Sequence, residues 1–300
     1  MNADVFLHEE YSGVLAKTAN REEILRCADQ IPPLPSAMLN VLELLDDPNT
    51  DTCQLADAVC ADTSLTITLL KLAHSPAYPQ TQGILSIAEA ITIIGSNQLR
   101  ALVLTSSLIG FAKREAVDEL VWENSVATAV LARRLAEDIA CPQAEEVFLM
   151  GLLHCLGQFV FLANPQTRSA YAGVLRRIKE YGVDYITAEL EEIGFSHNLI
   201  GALMANRWNL PSEICQVILH YPDPLEPVIS SAGQKQALVK LADLLAHAAF
   251  IGRPPGYPIQ IELIQQMASA LGVNPRTDRG AVELIVMARN QLSIGGFWSA

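Results

Sequence analysis

FLMGLLHCLGQFVF, from Phe148 to Phe161, is the stretch of sequence that decides the fold. Apolar residues occupy nearly every face of a helix drawn through it, which is typical of a helix buried on all sides in a helical core. His154 is the one imidazole inside this stretch. Such a residue is either a neutral histidine bonded to a nearby carbonyl or part of a metal or anion site, and the stretch alone leaves both open.

The rest of the chain shows the same helical character. Apolar residues recur at i, i+3 and i+4 in almost every segment, and few windows alternate as half-buried strands do. The sequence therefore predicts an all-α fold, a multi-helix bundle with one central helix from about Ala144 to Leu162. Ser86 with Glu89 predicts a capping box, and Asn164-Pro165 predicts a capping residue followed by a first-turn proline.

Length and charge restrict the class of protein. With 300 residues, half of them hydrophobic, the chain has ample material for a core. Its net charge is -13, and the acidity lies in the first half: residues 1–150 carry 9 basic and 21 acidic side chains, whereas residues 151–300 carry 11 and 12. Nucleic-acid binding depends on clustered Lys and Arg, so we expect no nucleic-acid partner. The acidic half is either a solvated surface or a docking face for a basic partner.

Cysteine spacing and the chain's hydrophobic runs bear on its location. The six cysteines, at positions 27, 53, 60, 141, 155 and 215, form no CxxC pair, so neither a disulfide framework nor a zinc ribbon is predicted. The N-terminal sequence lacks the pattern of a signal peptide, and the longest apolar run contains polar residues that make it a poor membrane span. We expect a cytoplasmic protein with no membrane association.

Four residues occur where predicted helices should converge: His154, His197, His220 and Asp243. Imidazoles and carboxylates brought together from separate helices can form a di-metal site that activates water for phosphoester hydrolysis. Their spacings are long, so spacing alone is weak evidence for such a site. His74 and His247 are more typical of solvated or packed side chains than of ligands.

Several short motifs follow one another in a specific order. They are Ile31-Pro-Pro-Leu-Pro35, Leu55-Ala with Asp62-Thr-Ser-Leu65, Leu72-Ala-His-Ser-Pro-Ala-Tyr78, Ala90-Ile91 with Ile94-Gly95, Trp122-Glu-Asn-Ser125, Gly151-Leu-Leu-His154 and Arg207-Trp-Asn-Leu-Pro211. Each is common alone, but the ordered set, over about residues 25 to 250, resembles the HDOD family, the HD-related output domain of bacterial signalling proteins. That family lies within the HD superfamily of metal-dependent phosphohydrolases.

The resemblance implies a domain organisation and a set of site positions. We expect a leader at residues 1–24, a front helical subdomain at 25–112, a degenerate HD-like subdomain at 113–252 and a C-terminal helical extension at 253–300. The positions that match the HD site are Asn124, His154, Cys155, His197, His220 and Asp243. Of these, His154, His197, His220 and Asp243 are the candidate metal ligands.

The sequence departs from the catalytic superfamily at key positions. The HD signature has Asp directly after His, whereas Cys155 follows His154, and a neutral thiol cannot replace a hard oxygen ligand to Mg or Mn. The upstream helix offers Asn124 or Ser125 where an active enzyme would offer a histidine. Gly256-Tyr257-Pro258 resembles a motif of related cyclic-dinucleotide phosphodiesterases, but it lies far from His220 in sequence, and we treat the match as chance.

These departures favour a non-catalytic signalling or scaffold module without a cofactor, acting through a protein partner or a nucleotide messenger. The four ligands that remain could still hold a divalent metal, with zinc and Cys155 as one possibility, or form a metal-free polar cluster. The alternative function is a metal-dependent phosphohydrolase acting on a nucleotide or cyclic dinucleotide. A nucleic-acid regulator is a third possibility, which the acidity disfavours.

Overall fold

The structure is a computed structural model that describes residues 24, 27, 34–73, 86–109, 115–224 and 231–273. Most of the predicted leader, the Ile31-Pro-Pro segment, the turn from His74 to Tyr78 and the last part of the predicted C-terminal extension lie outside the described residues. Within the described residues the regular secondary structure is helical and contains no strand. The all-α prediction is therefore confirmed.

The described helices are numbered here in chain order. They are α1 (Ser36–Asp46), α2 (Thr52–Cys60), α3 (Thr63–Ala73), α4 (Ile87–Ile94), α5 (Ser96–Ile109), α6 (Ala116–Asp138), α7 (Ala144–Leu153), α8 (Leu156–Ala163), α9 (Pro165–Tyr181), α10 (Tyr185–Glu192), α11 (His197–Arg207), α12 (Ser212–His220), α13 (Ser231–Ala248) and α14 (Ile261–Leu271). The described residues fall into two compact units: 34–109 with α1 to α5, and 115–273 with α6 to α14, the second unit also containing residues 24 and 27. The domain boundaries expected from the sequence stay predictions; α14 lies in the same unit as α6 to α13.

In the front unit, α1 to α5 pack on one another through buried aliphatic side chains. Val41, Val59, Leu65, Leu69 and Leu99 are all fully buried there. Burying an aliphatic side chain of this size contributes about 1.5–3 kcal/mol relative to leaving it exposed. Short amphipathic helices of this kind are therefore stabilised by their shared core more than by intrinsic helix propensity.

Local sequence signals define several helix ends. The Ser86 hydroxyl accepts a hydrogen bond from the Glu89 amide at the start of α4, and Gly95 ends that helix with a φ of 80°. The Asn164 side chain accepts from the Gln166 amide at the start of α9, and Pro165 occupies the first turn. The predicted capping residues Ser86 and Asn164 and the first-turn proline are thus confirmed.

The second unit is organised around α6 and the central apolar stretch. The 23-residue helix α6 packs against α7 and α13, and α8 packs against α11. The contact between α8 and α11 is very close: a Cβ on Gly157 would lie 1.9 Å from the carbonyl oxygen of His197. Glycine is therefore required at position 157, and this close packing fixes the start of α11.

The central helix is not continuous, so the prediction of one helix from Ala144 to Leu162 was wrong. The structure divides it into α7 and α8, with His154 and Cys155 between them. His154 Nδ1 is 2.6 Å from the carbonyl oxygen of Gly151, in the last turn of α7. Side-chain hydrogen bonds to a nearby backbone carbonyl compete with regular helical pairing, which gives a physical reason for the break.

Hydropathy alone does not make this stretch a membrane span. Among the described residues, Ala144–Ala163 is long and apolar enough to cross a bilayer, with a mean hydropathy of 1.7, and the sharply bent pair α4 and α5 passes the same test only if taken together. However, 89% of the apolar window in Ala144–Ala163 is buried inside the protein. That burial is typical of the core helix of a soluble protein.

Candidate functional site

The second unit contains a cavity of about 220 Å³ at the break between α7 and α8. Its walls come from α6, the α7–α8 junction, α8, α10, α11, the segment after α12, α13, the segment before α14 and α14 itself. Five of the six positions expected from the sequence line it: Asn124, His154, Cys155, His197 and Asp243. The fold therefore brings together side chains that are up to 119 residues apart in the chain.

His154 is 1% exposed and makes polar contacts at both ring nitrogens. Nδ1 lies 2.6 Å from the Gly151 carbonyl oxygen, and because a carbonyl can only accept, Nδ1 carries a proton. Nε2 lies 3.5 Å from Oδ1 of Asp243. A carbonyl partner therefore satisfies one nitrogen of this buried imidazole, as in the first alternative, and the other nitrogen faces the cavity carboxylate.

Asp243 is the charged centre of the cavity. Its Oδ1 accepts a hydrogen bond of 3.0 Å from Asn124 Nδ2 and lies 3.3 Å from His247 Nε2. Burial alone would raise the pKa of this carboxyl, but the adjacent His247 and His154 imidazoles hold the pKa well below its usual value. Asn124, His154, Asp243 and His247 are called the Asp243 cluster below.

His247 is the member of this cluster that sequence reasoning missed. It was interpreted as a packed or solvated side chain, and the structure does bury it, at 3% exposure, with its ring 4.3 Å from that of Tyr257. It also lies beside Asp243 in the cavity wall. The signal was available, because Asp243 and His247 are four residues apart and therefore share one face of α13.

Tyr257 also lines the cavity, although the Gly256-Tyr257-Pro258 match was treated as chance. The residue is buried, and its ring lies 5.3 Å from that of Tyr185. After α13 the chain packs closely against the end of α9 at Gly256, and this contact places Tyr257, the next residue, at the cavity. The loop therefore supplies an aromatic side chain to the cavity.

His197 belongs to a second, separate set of hydrogen bonds. Its Nδ1 and its backbone N–H both lie 2.7 Å from Oε2 of Glu189, and its Nε2 lies 2.7 Å from the hydroxyl of Tyr221. The Tyr171 hydroxyl donates to the other carboxylate oxygen of Glu189. These four residues, Glu189, His197, Tyr171 and Tyr221, are called the His197 network below.

The His197 network occupies both imidazole nitrogens with protein partners. Glu189 is fully buried, and sequence reasoning missed it because a Glu on a short amphipathic helix is usually solvated. The carboxylate fixes Nδ1 as a donor, and Tyr221 takes the remaining nitrogen. A metal could bind His197 only by displacing one of these partners, so His197 does not fit the role of a free ligand.

Cys155 does not fit a metal-ligand role either. It is 1% exposed, and burial raises the pKa of its thiol to about 12. Its sulfur lies 3.8 Å from the carbonyl oxygen of Val121, to which it donates. The side chain is therefore a neutral thiol held between helices, whereas a metal requires the thiolate.

His220 and Ser125, two other positions considered from the sequence, lie outside the cavity lining. The His220 side chain is 34% exposed, and its Nδ1 pairs with Asp223 at 2.7 Å. The Ser125 hydroxyl donates to the carbonyl oxygen of Leu152 at 2.5 Å. His220 is the last residue of α12. Tyr221, one residue later, lines the cavity in its place.

The donor set does not fit a hydrolytic pair of metal ions. In the described part of the chain, no group of three or more His, Cys, Asp or Glu side chains is placed to hold a metal. The chemistry of the residues gives the reason: His197 is hydrogen-bonded at both nitrogens, Cys155 is a neutral thiol, and Asn124 supplies an amide donor to Asp243. Two-metal sites need several anionic oxygen and neutral imidazole donors directed at one point.

Solved structures with a similar fold extend over most of the chain. An HDOD domain protein of unknown function from Geobacter sulfurreducens is 24% identical, with a TM-score of 0.72 over 92% of this chain and 98% of that one. A protein described as a candidate phosphohydrolase, from Shewanella amazonensis SB2B, is 21% identical, with a TM-score of 0.66 over 92% of this chain and 97% of that one. A protein described as a candidate signal transduction protein, from Marinobacter aquaeolei VT8, is 20% identical, with a TM-score of 0.73 over 94% of this chain and 66% of that one. These similarities show the shared fold.

Sequence comparison agrees with the fold. An uncharacterized protein from Treponema pallidum (strain Nichols) is 28% identical over 231 residues, which are 72% of this chain and 43% of that protein. The aligned region thus spans less than half the length of this relative. The sequence profile of the HDOD domain matches residues 31–224, about two thirds of the chain. The chain belongs to the HDOD domain family.

Proposed function

We propose that the chain is a non-catalytic signal-transduction module that works by binding a protein partner or a small messenger. This proposal rests on two observations: both ring nitrogens of His197 are hydrogen-bonded, and Cys155 is a buried, neutral thiol. At two positions where an HD enzyme would need free ligands, the protein has a saturated imidazole and a neutral, buried thiol. The similarity to a protein described as a candidate signal transduction protein supports a role in signalling.

The cavity supports binding more than catalysis. The lining of the cavity, about 220 Å³ in volume, combines the buried carboxylate of Asp243 with three imidazoles and three tyrosine rings. A concave site with a few convergent polar groups is the usual form of a small-ligand pocket. His197 is not free to act as a base that activates water, because both of its ring nitrogens have protein partners.

The alternative function, a metal-dependent phosphohydrolase, has one observation in its favour. His154 Nε2 and His247 Nε2 both lie within 3.5 Å of Oδ1 of Asp243. A metal that displaced the Asn124 amide from this oxygen would find two imidazoles beside one carboxylate. Similar folds include a protein described as a candidate phosphohydrolase.

A hydrolysis assay separates the two functions. The purified chain is incubated with Mn²⁺ or Mg²⁺ and with cyclic di-GMP, cyclic AMP or bis(p-nitrophenyl) phosphate, and product formation is measured. We expect no turnover above that of the matched Asp243→Asn variant. Metal-dependent turnover that is lost in Asp243→Asn would contradict the proposal and establish the phosphohydrolase.

The proposal also covers the kind of partner and the location, which we infer from the net charge of the chain. With a net charge of -13, a partner surface rich in Lys and Arg is favoured over nucleic acid, and a cytoplasmic location is part of the proposal. Pull-down with a basic peptide array at 50 and 300 mM salt tests the electrostatic part. Binding that is insensitive to salt, or salt-sensitive binding to DNA, would contradict it.

A further inference from the structure

Gln158, in the first turn of α8, lines the cavity with an unused carboxamide. The residue is only 3% exposed, yet within the described residues its side-chain oxygen and nitrogen make no hydrogen bond. Neither atom is among the polar atoms that the described residues seal off without a partner, so the amide keeps access to the cavity. A primary amide offers two donors and an acceptor, and most buried amides use them. Gln158 therefore holds hydrogen-bonding capacity for a molecule in the cavity.

Two tyrosine hydroxyls of the cavity lining are unused as well. Tyr185 and Tyr257 are both buried, and neither hydroxyl makes a hydrogen bond to a described residue. Burial raises the pKa of both phenols, so each stays protonated at neutral pH and can donate as well as accept. Like the Gln158 amide, these groups are uncharged.

The charged side chains of the lining, by contrast, already have partners in the protein. Asp243 accepts a hydrogen bond of 3.0 Å from the Asn124 amide. Asp184 caps α10 through a backbone N–H at 2.7 Å. Lys240 Nζ donates to two backbone carbonyl oxygens just beyond the end of α12, at 2.8 and 2.5 Å. A charged ligand would compete with these contacts, whereas an uncharged ligand would meet the groups that lack partners.

Three rings form an aromatic wall in the same cavity. The ring centroid of Tyr257 lies 5.3 Å from that of Tyr185 and 4.3 Å from that of His247. All three residues line the cavity. Aromatic groups prefer offset-stacked or edge-on contacts with other rings, so this wall favours a planar ligand.

We propose that the cavity binds a small uncharged planar ring that carries an amide group, either a primary carboxamide or a ring lactam. The ligand amide pairs with the Gln158 carboxamide through one hydrogen bond in each direction, since each has a donor and an acceptor. Its ring lies against the aromatic wall. At about 220 Å³, the cavity suits a ligand smaller than a drug-sized molecule. This inference rests on the proposed function as a non-catalytic binding module and specifies its ligand.

Three probes of nearly the same shape and different charge test the inference. Benzamide is neutral, benzoate is an anion, and benzamidine is a cation at neutral pH. Saturation-transfer NMR on the full chain, without added metal, compares their dissociation constants. We expect benzamide to bind about tenfold more tightly than either charged probe, which corresponds to about one hydrogen bond. Equal or tighter binding of benzoate or benzamidine would overturn the inference.

A matched pair of variants locates the binding in the cavity. Gln158→Met keeps the length of the side chain and removes its amide, so benzamide binding should weaken about tenfold. Gln166→Met, the same change at an exposed position outside the lining, should leave benzamide binding unchanged. If Gln158→Met does not fold, Tyr257→Phe replaces it, because it keeps the ring and removes one unused hydroxyl; binding should then weaken about fivefold. Benzamide binding that the folded variant leaves unchanged would overturn the inference.

Two further probes distinguish the two forms of the amide. Nicotinamide carries a primary carboxamide and uracil carries a ring lactam, so the tighter binder identifies the form that the cavity prefers. The outcomes for this inference and for the proposed function can be told apart. Failure of benzamide, nicotinamide and uracil to bind overturns the inference alone. Metal-dependent hydrolysis in the assay above overturns the proposed function, whatever the probes show. Amide binding that Gln158→Met weakens, with no hydrolysis, supports both.

Discussion

The His197 network and the Asp243 cluster lie beside the same cavity but differ in how completely their hydrogen bonds are satisfied. In the network, Glu189 accepts three hydrogen bonds, and both His197 nitrogens have partners at 2.7 Å. In the cluster, three groups crowd one oxygen of Asp243, while His247 Nδ1 has no partner among the described residues. The first arrangement is typical of a structural element, and the second is the part of the cavity to which the proposed function assigns binding.

The difference shows why a histidine in a recognised position is weak evidence for a metal site. His154 and His197 are equally buried, and both match the motif order of the family. Only the partners of each ring nitrogen separate them: Glu189 and Tyr221 satisfy His197 at 2.7 Å, whereas Nε2 of His154 lies 3.5 Å from the Asp243 carboxylate in the cavity. The four predictions below test that contrast, beginning with the largest expected effect.

Removal of Glu189 should damage the His197 network most. Glu189→Ala leaves His197 and the Tyr171 hydroxyl buried without their acceptor, so we expect the free energy of unfolding to fall by about 3–5 kcal/mol. Urea denaturation followed by circular dichroism measures it. Glu191→Ala, which removes an exposed carboxylate paired with Arg177, is the control and should cost less than about 1 kcal/mol. Equal losses in the two variants would contradict a structural role for the network.

Restoring the carboxylate of the HD signature should not restore a metal site. Cys155→Asp places an ionisable group where the thiol is 1% exposed, so we expect a loss of about 3 kcal/mol in the free energy of unfolding at neutral pH. Because His197 keeps its two partners, added Mn²⁺ should not recover this loss. Cys155→Ser, with no charge, is the control and should lose about 1 kcal/mol. Recovery of the stability of Cys155→Asp by Mn²⁺ would contradict the conclusion that the residues around this cavity do not fit a metal site.

The close packing of α8 on α11 should also matter for His197. In Gly157→Ala the new Cβ would meet the backbone of His197, which cannot move aside cheaply, so we expect a loss of about 2 kcal/mol. Gly173→Ala is the matched control in a helix, because its Cβ would meet only the flexible side chain of Glu192. That variant should be neutral or gain up to about 1 kcal/mol from helix propensity. Thermal unfolding of the two proteins distinguishes them.

The smallest expected effect concerns the pH dependence of the Asp243 cluster. The pKa of Asp243 is lower in the folded protein than its usual value of 3.8, so the unfolded chain binds the proton more readily. Asp243 therefore adds stability above that value and loses it as the pH falls toward the folded pKa. The stability difference between the wild type and Asp243→Asn should shrink between pH 6 and pH 3. A difference that grows as the pH falls would contradict the charge assignment.

The sequence predicted the fold better than the site. Apolar periodicity and capping residues such as Asn164 are local signals, and they predicted most helices to within a few residues. The motif order also led to the correct family and to five residues that line the cavity. These features depend on neighbouring residues or on an ordered pattern, which a single sequence contains.

The rest depends on contacts between distant parts of the chain. Glu189 looks like any acidic residue of a short helix until α11 places His197 against it. The break after Leu153 occurs where the His154 side chain bonds to the Gly151 carbonyl, and the outward position of His220 depends on where α12 ends. The apolar periodicity of the sequence gives no information about the Glu189 contact, the helix break or the position of His220, because none of these features changes the apolar pattern.

Anomalous diffraction from crystals soaked in MnCl₂ tests the central claim most directly. Manganese scatters anomalously, so any bound ion near Asp243 would be located independently of the protein atoms. Because both nitrogens of His197 are hydrogen-bonded and Cys155 is a neutral thiol, we predict no anomalous peak within bonding distance of Asp243, His154 or His197. Two peaks about 3.5–4 Å apart at these side chains, with Glu189 and Tyr221 displaced from His197, would contradict the account.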